Sequence, residues 1–380
     1  MKPSALDDGL LARLAREHGT PLYVYHLPTA AAQVARLKPE FDVVRYAQKA
    51  NAHPELLRAL RAAGALVDAS SAAEARRALE AGFAPADIVL TSDLFDRDML
   101  ALLAELPIGV NAGSPFMLDQ LARVRPGAPV TLRVNPGFGA GHDRRVTTGG
   151  ERSKHGIWHA ELPATIRRAA DLSLRVTGLH VHVGSGASLE NLVRAREVLA
   201  GAAELVGPSL ATLSAGGGLP IPYREGERAF DVASYAAAWR ALRDELPTRP
   251  RLEVEPGRYV AAECGVLVCE VRGVKRTGAN EFVLVDAGFH NLVRPAMYGA
   301  YHRITALGKA GAPTEPRCVA GPLCESADVF TQDKEGNLVP QPLPALAEGD
   351  LLCIHDAGAY GASMASDYNL QRRAREVAVG

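Results

Sequence analysis

An eight-stranded parallel α/β barrel of the TIM type, followed by a C-terminal β-rich domain, is the fold this sequence predicts. Short β-branched or apolar runs alternate with stretches of helical period from residue 43 to about 260, giving eight repeats. Each repeat carries a polar residue at the end of its run. Beyond 260 the helical stretches disappear and extended runs follow one another with short connections.

The strands read VVRYAQ, LVDAS, IVLTS, IGVNAG, VTLRVN, GLHVHVG, LATLSAG and RLEVEPG, starting near residues 43, 66, 88, 108, 130, 178, 210 and 251. Between them, PELLRALRAAG, SAAEARRALEAG and LENLVRAREVLAGAAELVG are rich in Ala and Leu, several close on Gly, and polar or proline residues precede them, as helix starts prefer. The β-rich part is expected in GVLVCEVRGVK, EFVLVDAG, RCVAGPL and DLLCIHDAG. The extended PLYVYHL at 21–27 is expected to pair with that sheet. The resulting division is a barrel over 26–260 and a β-rich domain formed by 1–25 and 261–380.

Composition excludes several function classes. The 380 residues are 47% hydrophobic and 22% charged, an ordinary globular balance rather than a disordered one. Forty-two basic residues against 43 acidic ones leave a formal charge of −1, so no sequence-wide electrostatic footprint for nucleic acid or an anionic membrane exists. No apolar run approaches the roughly 18 to 20 residues a membrane span needs, and MKPSALDDGL has acids where a secretory signal has its apolar core. The expectation is a cytoplasmic protein acting on a small molecule. Five cysteines, Cys264, Cys269, Cys318, Cys324 and Cys353, lack zinc-ligand spacing and read as free thiols.

Active sites of such barrels are built at the C-terminal ends of the strands. Those ends carry Lys49, Asp68, Ser92, Asn111, Asn135, His182, Ser214 and Glu255. Asp68, Ser92 and the nearby Ser114 read equally well as helix caps. A buried ammonium at Lys49 and a buried carboxylate at Glu255 need a ligand or each other to offset desolvation. Gly216-Gly217-Gly218 after the seventh strand and the EPGR run of Glu255, Gly257 and Arg258 after the eighth lie where barrels commonly hold phosphate. A lysine able to form a Schiff base, a phosphate cradle and a carboxylate on one face are the inventory that pyridoxal phosphate requires. His180 and His182, two apart on one strand, offer the alternative of a metal site that activates water. Further ligands are not evident, so no metal is expected. The segment GFGAGHDRRVTTGGERSKHGI, residues 137–157, reads as a lid or binding loop.

The chain resembles the diaminopimelate decarboxylases, members of the fold type III pyridoxal phosphate enzymes. The likeness runs nearly end to end through PLYVYH, RYAQKAN, VDASSAAE, RVNPGFGAGH, TGGERSKHGIW, HVHVGSG, SAGGGLP, EVEPGR, LVDAGFHNLVRPAMYGAYH, AGPLCESADVF and DAGAYGASMASDYN. HVGSG and EPGR mark the broad decarboxylase group, whereas RPAMYGAYH with GPLCESADVF is far more specific. The resemblance implies decarboxylation of meso-2,6-diaminopimelate to L-lysine and CO2, by a carboxy-lyase that is a homodimer with shared active sites. In it Lys49 is the Schiff-base lysine, His182 stacks on the cofactor ring and Glu255 pairs with the ring nitrogen. Asp68, Ser185, Gly217, Gly218, Gly257, Arg258 and Tyr360 complete the cofactor site. Arg258, Arg294, Tyr298, Glu325 and Tyr360 read the distal end of the substrate, and Cys324, supplied by the partner's β domain, is the acid that protonates Cα. Two departures stand out: His155 in SKHGI where many relatives have Phe, and TSDLFD after the third strand; one bacterial subgroup of the family shares both. Relatives usually continue past RAREVAVG by another strand or so, whereas this chain stops at Gly380.

Four other functions each demand features that can be checked against this chain. A related decarboxylase acting on ornithine, lysine or a carboxylated polyamine would place an acid to hold a distal amine, where this chain has Arg294. A racemase would need a second base opposite Lys49, and a bare pyridoxal phosphate carrier would lack the 120 residues after 260. A metal-dependent hydrolase would use His180 and His182.

Overall fold

The computed structural model describes residues 6–141, 143, 145 and 147–380; His142, Arg144 and Val146 of the long connection and the first five residues lie outside it. The chain divides into two units, one spanning Ala31–Pro220 with Phe230–Gly257, the other the N-terminal residues to Ala30 with Ile221–Ala229 and Arg258–Gly380. The short Ile221–Ala229 segment belongs with the second unit, although the rhythm of strands and helices does not single it out.

The first unit is a closed barrel. Val43–Ala47, Leu66–Ala69, Ile88–Ser92, Gly109–Ala112, Pro129–Asn135, Arg175–Val181, Thr212–Ser214 and Arg251–Val254 pair in parallel around the ring, and Arg251–Val254 closes it between Val43–Ala47 and Thr212–Ser214. Each matches an expected run to within a few residues. The strands are buried on both faces, which explains their near-continuous Val and Leu content. Helices Pro54–Ala62, Ala72–Glu80, Arg97–Glu105, Phe116–Val124, Leu162–Asp171, Leu189–Val206 and Val232–Glu245 connect them. Their starts are set chemically: Ser71, Asp96, Ser188 and Asp231 each accept a backbone N–H three residues on. Within the barrel Arg45 Nε donates to Glu253 Oε2 at 2.7 Å, so a buried cation is met by a buried anion.

The second unit is an eight-stranded mixed sheet. As the sequence suggests, Leu22–His26 joins it, antiparallel to Gly265–Thr277 and parallel to Arg375–Val379. Alternation fixes its two faces. Leu22 and Val24 pack with Leu11, Leu14, Val266, Val268 and Cys353, while Tyr23 and Tyr25 face the opposite core with Leu267, Val283, Val319 and Ile354. Ile304–Ala306, Gln341–Pro344 and Arg375–Val379 are strands the sequence reading did not single out. They are short, and two lie in stretches with little apolar alternation. Among the described residues no helix is long and apolar enough to cross a membrane.

Candidate active site

In the barrel unit, Glu255 follows the eighth strand directly, and its backbone N–H donates to Gly216 O at 2.8 Å, which ties it to the glycine turn after the seventh. Its carboxylate is met by His180 Nε2 at 2.7 Å and Ser214 Oγ at 2.9 Å. Burial pushes the carboxyl up, but His180, the Ser214 hydroxyl and the charge of Arg45 overcome that and hold it at about 2. Glu255 is therefore a permanent anion. Asp68, at the end of the second strand, goes the other way: burial and repulsion from Glu255 raise it to about 8, with Lys49 and Thr91 pulling it back only in part. Its Oδ1 has no hydrogen-bond partner.

Lys49, expected at a strand end, lies two residues past the end of Val43–Ala47, in the 3-10 turn Gln48–Ala50, and its charge acts on Asp68, Glu74 and His182. His182 accepts the N–H of Gly217 on Nδ1 at 3.1 Å. Burial, with Lys49 and Arg133 nearby, keeps it well below the usual imidazole range, so the ring is neutral with its proton on Nε2. The two histidines thus part: His180 serves Glu255 and His182 serves the glycine turn, rather than facing a common metal. Among the described residues no group of three His, Cys, Asp or Glu could hold one.

The three glycines are required by crowding. An added Cβ would stand 2.0 Å from Val181 O at Gly216, 2.2 Å from Glu255 O at Gly217 and 2.1 Å from Gly184 O at Gly218. Gly186 N–H closes on Gly218 O at 2.8 Å, carrying the adjacent Ser185 alongside this turn, and Gly257 ends the segment after Glu255. Lysine, ionised glutamate, neutral histidine, an unpartnered buried Asp68 oxygen and a cradle without Cβ atoms fit pyridoxal phosphate. Lys49 would anchor it, Glu255 would face its ring nitrogen and the glycines would take its phosphate.

The 137–157 connection is fastened to this unit. Asn135 Oδ1 accepts Gly137 and Gly150 N–H at 3.1 and 2.8 Å. Ala140 and Thr148 N–H donate to Val183 O, and the Thr148 hydroxyl to His182 O. Two segments far apart in the chain meet here: Asp93 of TSDLFD accepts Gly156 N–H at 2.9 Å and bonds the His155 ring. Of the other strand-end residues, Asn111 donates to Thr91 Oγ1 at 2.9 Å and Ser92 folds onto its own turn. Ser114 donates to Asp93 O rather than capping a helix with its side chain.

The second unit holds the expected substrate readers. Arg258, in the short helix Arg258–Ala261, donates from Nη1 to Tyr223 Oη at 2.8 Å, and its guanidinium lies 5.4 Å from the Tyr360 ring. Arg294 opens the helix Arg294–Tyr298, is 2% exposed, and lies 5.0 Å from the Tyr223 ring. Tyr360 adopts φ +58°, unusual for a side chain this large. Tyr298 ends the Arg294 helix and acts on Arg258 electrostatically. Cys324 and Glu325 lie on the exposed turn after Thr314–Ala320, where Cys324 N–H donates to Asn369 Oδ1 and Glu325 O accepts from Asp328. The other four cysteines are buried. Tyr223, in IPYREG, escapes sequence reasoning because that stretch reads as a plain loop.

A family model described as the pyridoxal binding domain of pyridoxal-dependent decarboxylases matches residues 28–262. Diaminopimelate decarboxylase of Streptomyces coelicolor is 48% identical over 389 residues, covering 99% of this chain and 88% of that protein. Its Escherichia coli counterpart is 48% identical over 372 residues, covering 94% of this chain and 88% of that protein. Among solved structures, a diaminopimelate decarboxylase superposes with a TM-score of 0.92 at 47% identity, covering 96% of this chain and 90% of that one. The Helicobacter pylori enzyme complexed with L-lysine superposes at 0.89 with 29% identity, covering 97% and 94%.

Proposed function

Because the chain belongs to the pyridoxal-dependent decarboxylases, we propose that it is a carboxy-lyase converting meso-2,6-diaminopimelate to L-lysine and CO2. The observation that carries the substrate is the pair of buried guanidiniums, Arg258 and Arg294, gathered around Tyr223. Among the described residues no ion pair involves Arg294, so a buried positive charge stands ready for a carboxylate. Ornithine or lysine offers only an ammonium at its distal end. Diaminopimelate offers both, and Glu325 is the acid to meet the ammonium.

Pyridoxal phosphate, when bound, takes up the electron pair left as the bond from Cα to the carboxylate breaks. Lys49 would be its covalent anchor, the amine that the substrate's own amino group replaces. Glu255, held ionised by His180 and Ser214, would keep a proton on the ring nitrogen. His182, neutral and fixed by Gly217, would cover the ring without adding charge. Gly217, Gly218, Ser185, Gly257, Arg258 and Tyr360 would lie around the phosphate, and Asp68 would belong to the rest of the cofactor site. Arg258, Arg294, Tyr298, Glu325 and Tyr360 orient the distal amino-acid end. Cys324 delivers the proton to Cα, and its exposure suits a thiol that serves a partner subunit. The active species is a homodimer in the cytoplasm.

Three variants test these roles. Lys49→Ala is expected to lose turnover and the visible band of the bound cofactor, whereas Cys324→Ala keeps the band and slows product formation by about a hundredfold or more. Full activity in Lys49→Ala contradicts the assignment. Arg294→Met should raise KM for diaminopimelate more than it lowers kcat.

A further inference from the structure

His302, at the end of RPAMYGAYH, is 1% exposed, and both of its ring nitrogens are committed. Nδ1 lies 2.8 Å from His355 O, and a carbonyl only accepts, so Nδ1 carries the hydrogen. Nε2 lies 2.8 Å from Arg294 Nη1, and a guanidinium only donates, so Nε2 offers its lone pair. These two contacts define one neutral tautomer. Protonation of Nε2 would break the bond to Arg294 and set two cations against each other in a buried site. The backbone of His302 is equally fixed: its carbonyl accepts Gln341 Nε2 at 2.8 Å, and Gln341 Oε1 takes Ile304 N–H at 3.0 Å. His355 is braced in turn by Thr305 Oγ1 at 2.8 Å from its Nε2.

A buried arginine is usually oriented by a carboxylate, which cancels its charge as it fixes its direction. A neutral imidazole fixes the direction and leaves the charge. We propose that His302 is a positioning residue for the decarboxylation, orienting the Arg294 guanidinium so that its full positive charge meets the distal carboxylate of the substrate. This rests on the reading of Arg294 as the carboxylate receptor. His302 also meets the Tyr223 ring edge-on, with centroids 5.6 Å apart and planes at 75°, so the same ring touches both the arginine and the residue that aims it.

The test compares His302→Gln, His302→Leu and His302→Glu in the cofactor-loaded enzyme, with steady-state kinetics on meso-diaminopimelate. Gln keeps a neutral acceptor and should leave kcat/KM within about threefold of the wild type. Leu removes the acceptor and should raise KM about tenfold or more with kcat changed less than about threefold. Glu keeps the contact but cancels the charge, and should raise KM at least as much as Leu. A Leu or Glu variant that is folded, loaded and unchanged in KM overturns the proposal. Should neither fold, nitrogen-15 NMR of histidine-labelled wild type decides: His302 carrying its hydrogen on Nδ1 alone at pH 7 supports the proposal, and a hydrogen on Nε2 overturns it. Wild-type enzyme that turns over ornithine or lysine but not diaminopimelate overturns the receptor reading itself, and this proposal with it.

Discussion

Glu255 Oε2 and His180 Nε2 lie 2.7 Å apart, with both side chains buried at the mouth of the barrel. The carboxylate accepts, so His180 supplies the hydrogen, and its Nδ1 has no hydrogen-bond partner. His180→Ala leaves the Glu255 charge without its main partner. Urea unfolding should find the variant about 1 to 3 kcal/mol less stable, and Glu255→Gln should cost about a hundredfold or more in kcat with the cofactor still bound.

Asp68 supplies a pH signature. Its carboxyl stands at about 8 in the fold against 3.8 ordinarily, with burial the main cause. A folded value above the unfolded one means that the group's contribution to stability is fully present below the ordinary value and is lost as pH rises through the folded value. In protein freed of cofactor, wild-type stability should therefore fall relative to Asp68→Asn across the interval from about 4 to about 8, then run parallel to it. Identical pH slopes for the two proteins contradict this environment.

Gly217→Ala places a methyl 2.2 Å from the Glu255 carbonyl. The turn must shift to admit it, at a cost of roughly 1 to 3 kcal/mol. The expected result is a lower melting temperature together with weaker retention of pyridoxal phosphate on gel filtration.

His155 and Asp93 anchor the C-terminal end of the 137–157 connection. His155→Ala or Asp93→Asn should increase the rate of proteolytic cleavage within that connection severalfold, while Asn135 still holds Gly137 and Gly150. Unchanged cleavage would show that the Asn135 bonds suffice.

Much of the barrel is legible in the sequence because parallel strands buried on both faces must be continuously apolar, and a lysine or glutamate ending one of them needs a ligand or a counter-charge. Lys49 and Glu255 stand out on that ground, whereas Asp68 reads equally well as a helix cap. The partner of Glu255 does not stand out, since His180 alternates with His182 and the pair also reads as a metal site; only the registers of the sixth and eighth strands against the seventh, which set His180 beside Ser214 and Ser214 beside Glu253, decide it. Ile221–Ala229 and Tyr223 were invisible because a loop's assignment to one unit or the other depends on long-range packing. The short strands Ile304–Ala306 and Gln341–Pro344 carry too little alternation to be seen. The pairing of Asp93 with His155 joins residues 62 apart, beyond any local pattern.

The most direct measurement is CO2 release by the purified protein with pyridoxal phosphate, supplied in parallel with meso-diaminopimelate, ornithine, lysine and arginine, while the visible absorption of the bound cofactor is recorded. Release from meso-diaminopimelate alone, with L-lysine as the product, is the predicted result. Release from ornithine or lysine instead, with the band present, would contradict the reading of Arg258 and Arg294 as a carboxylate receptor.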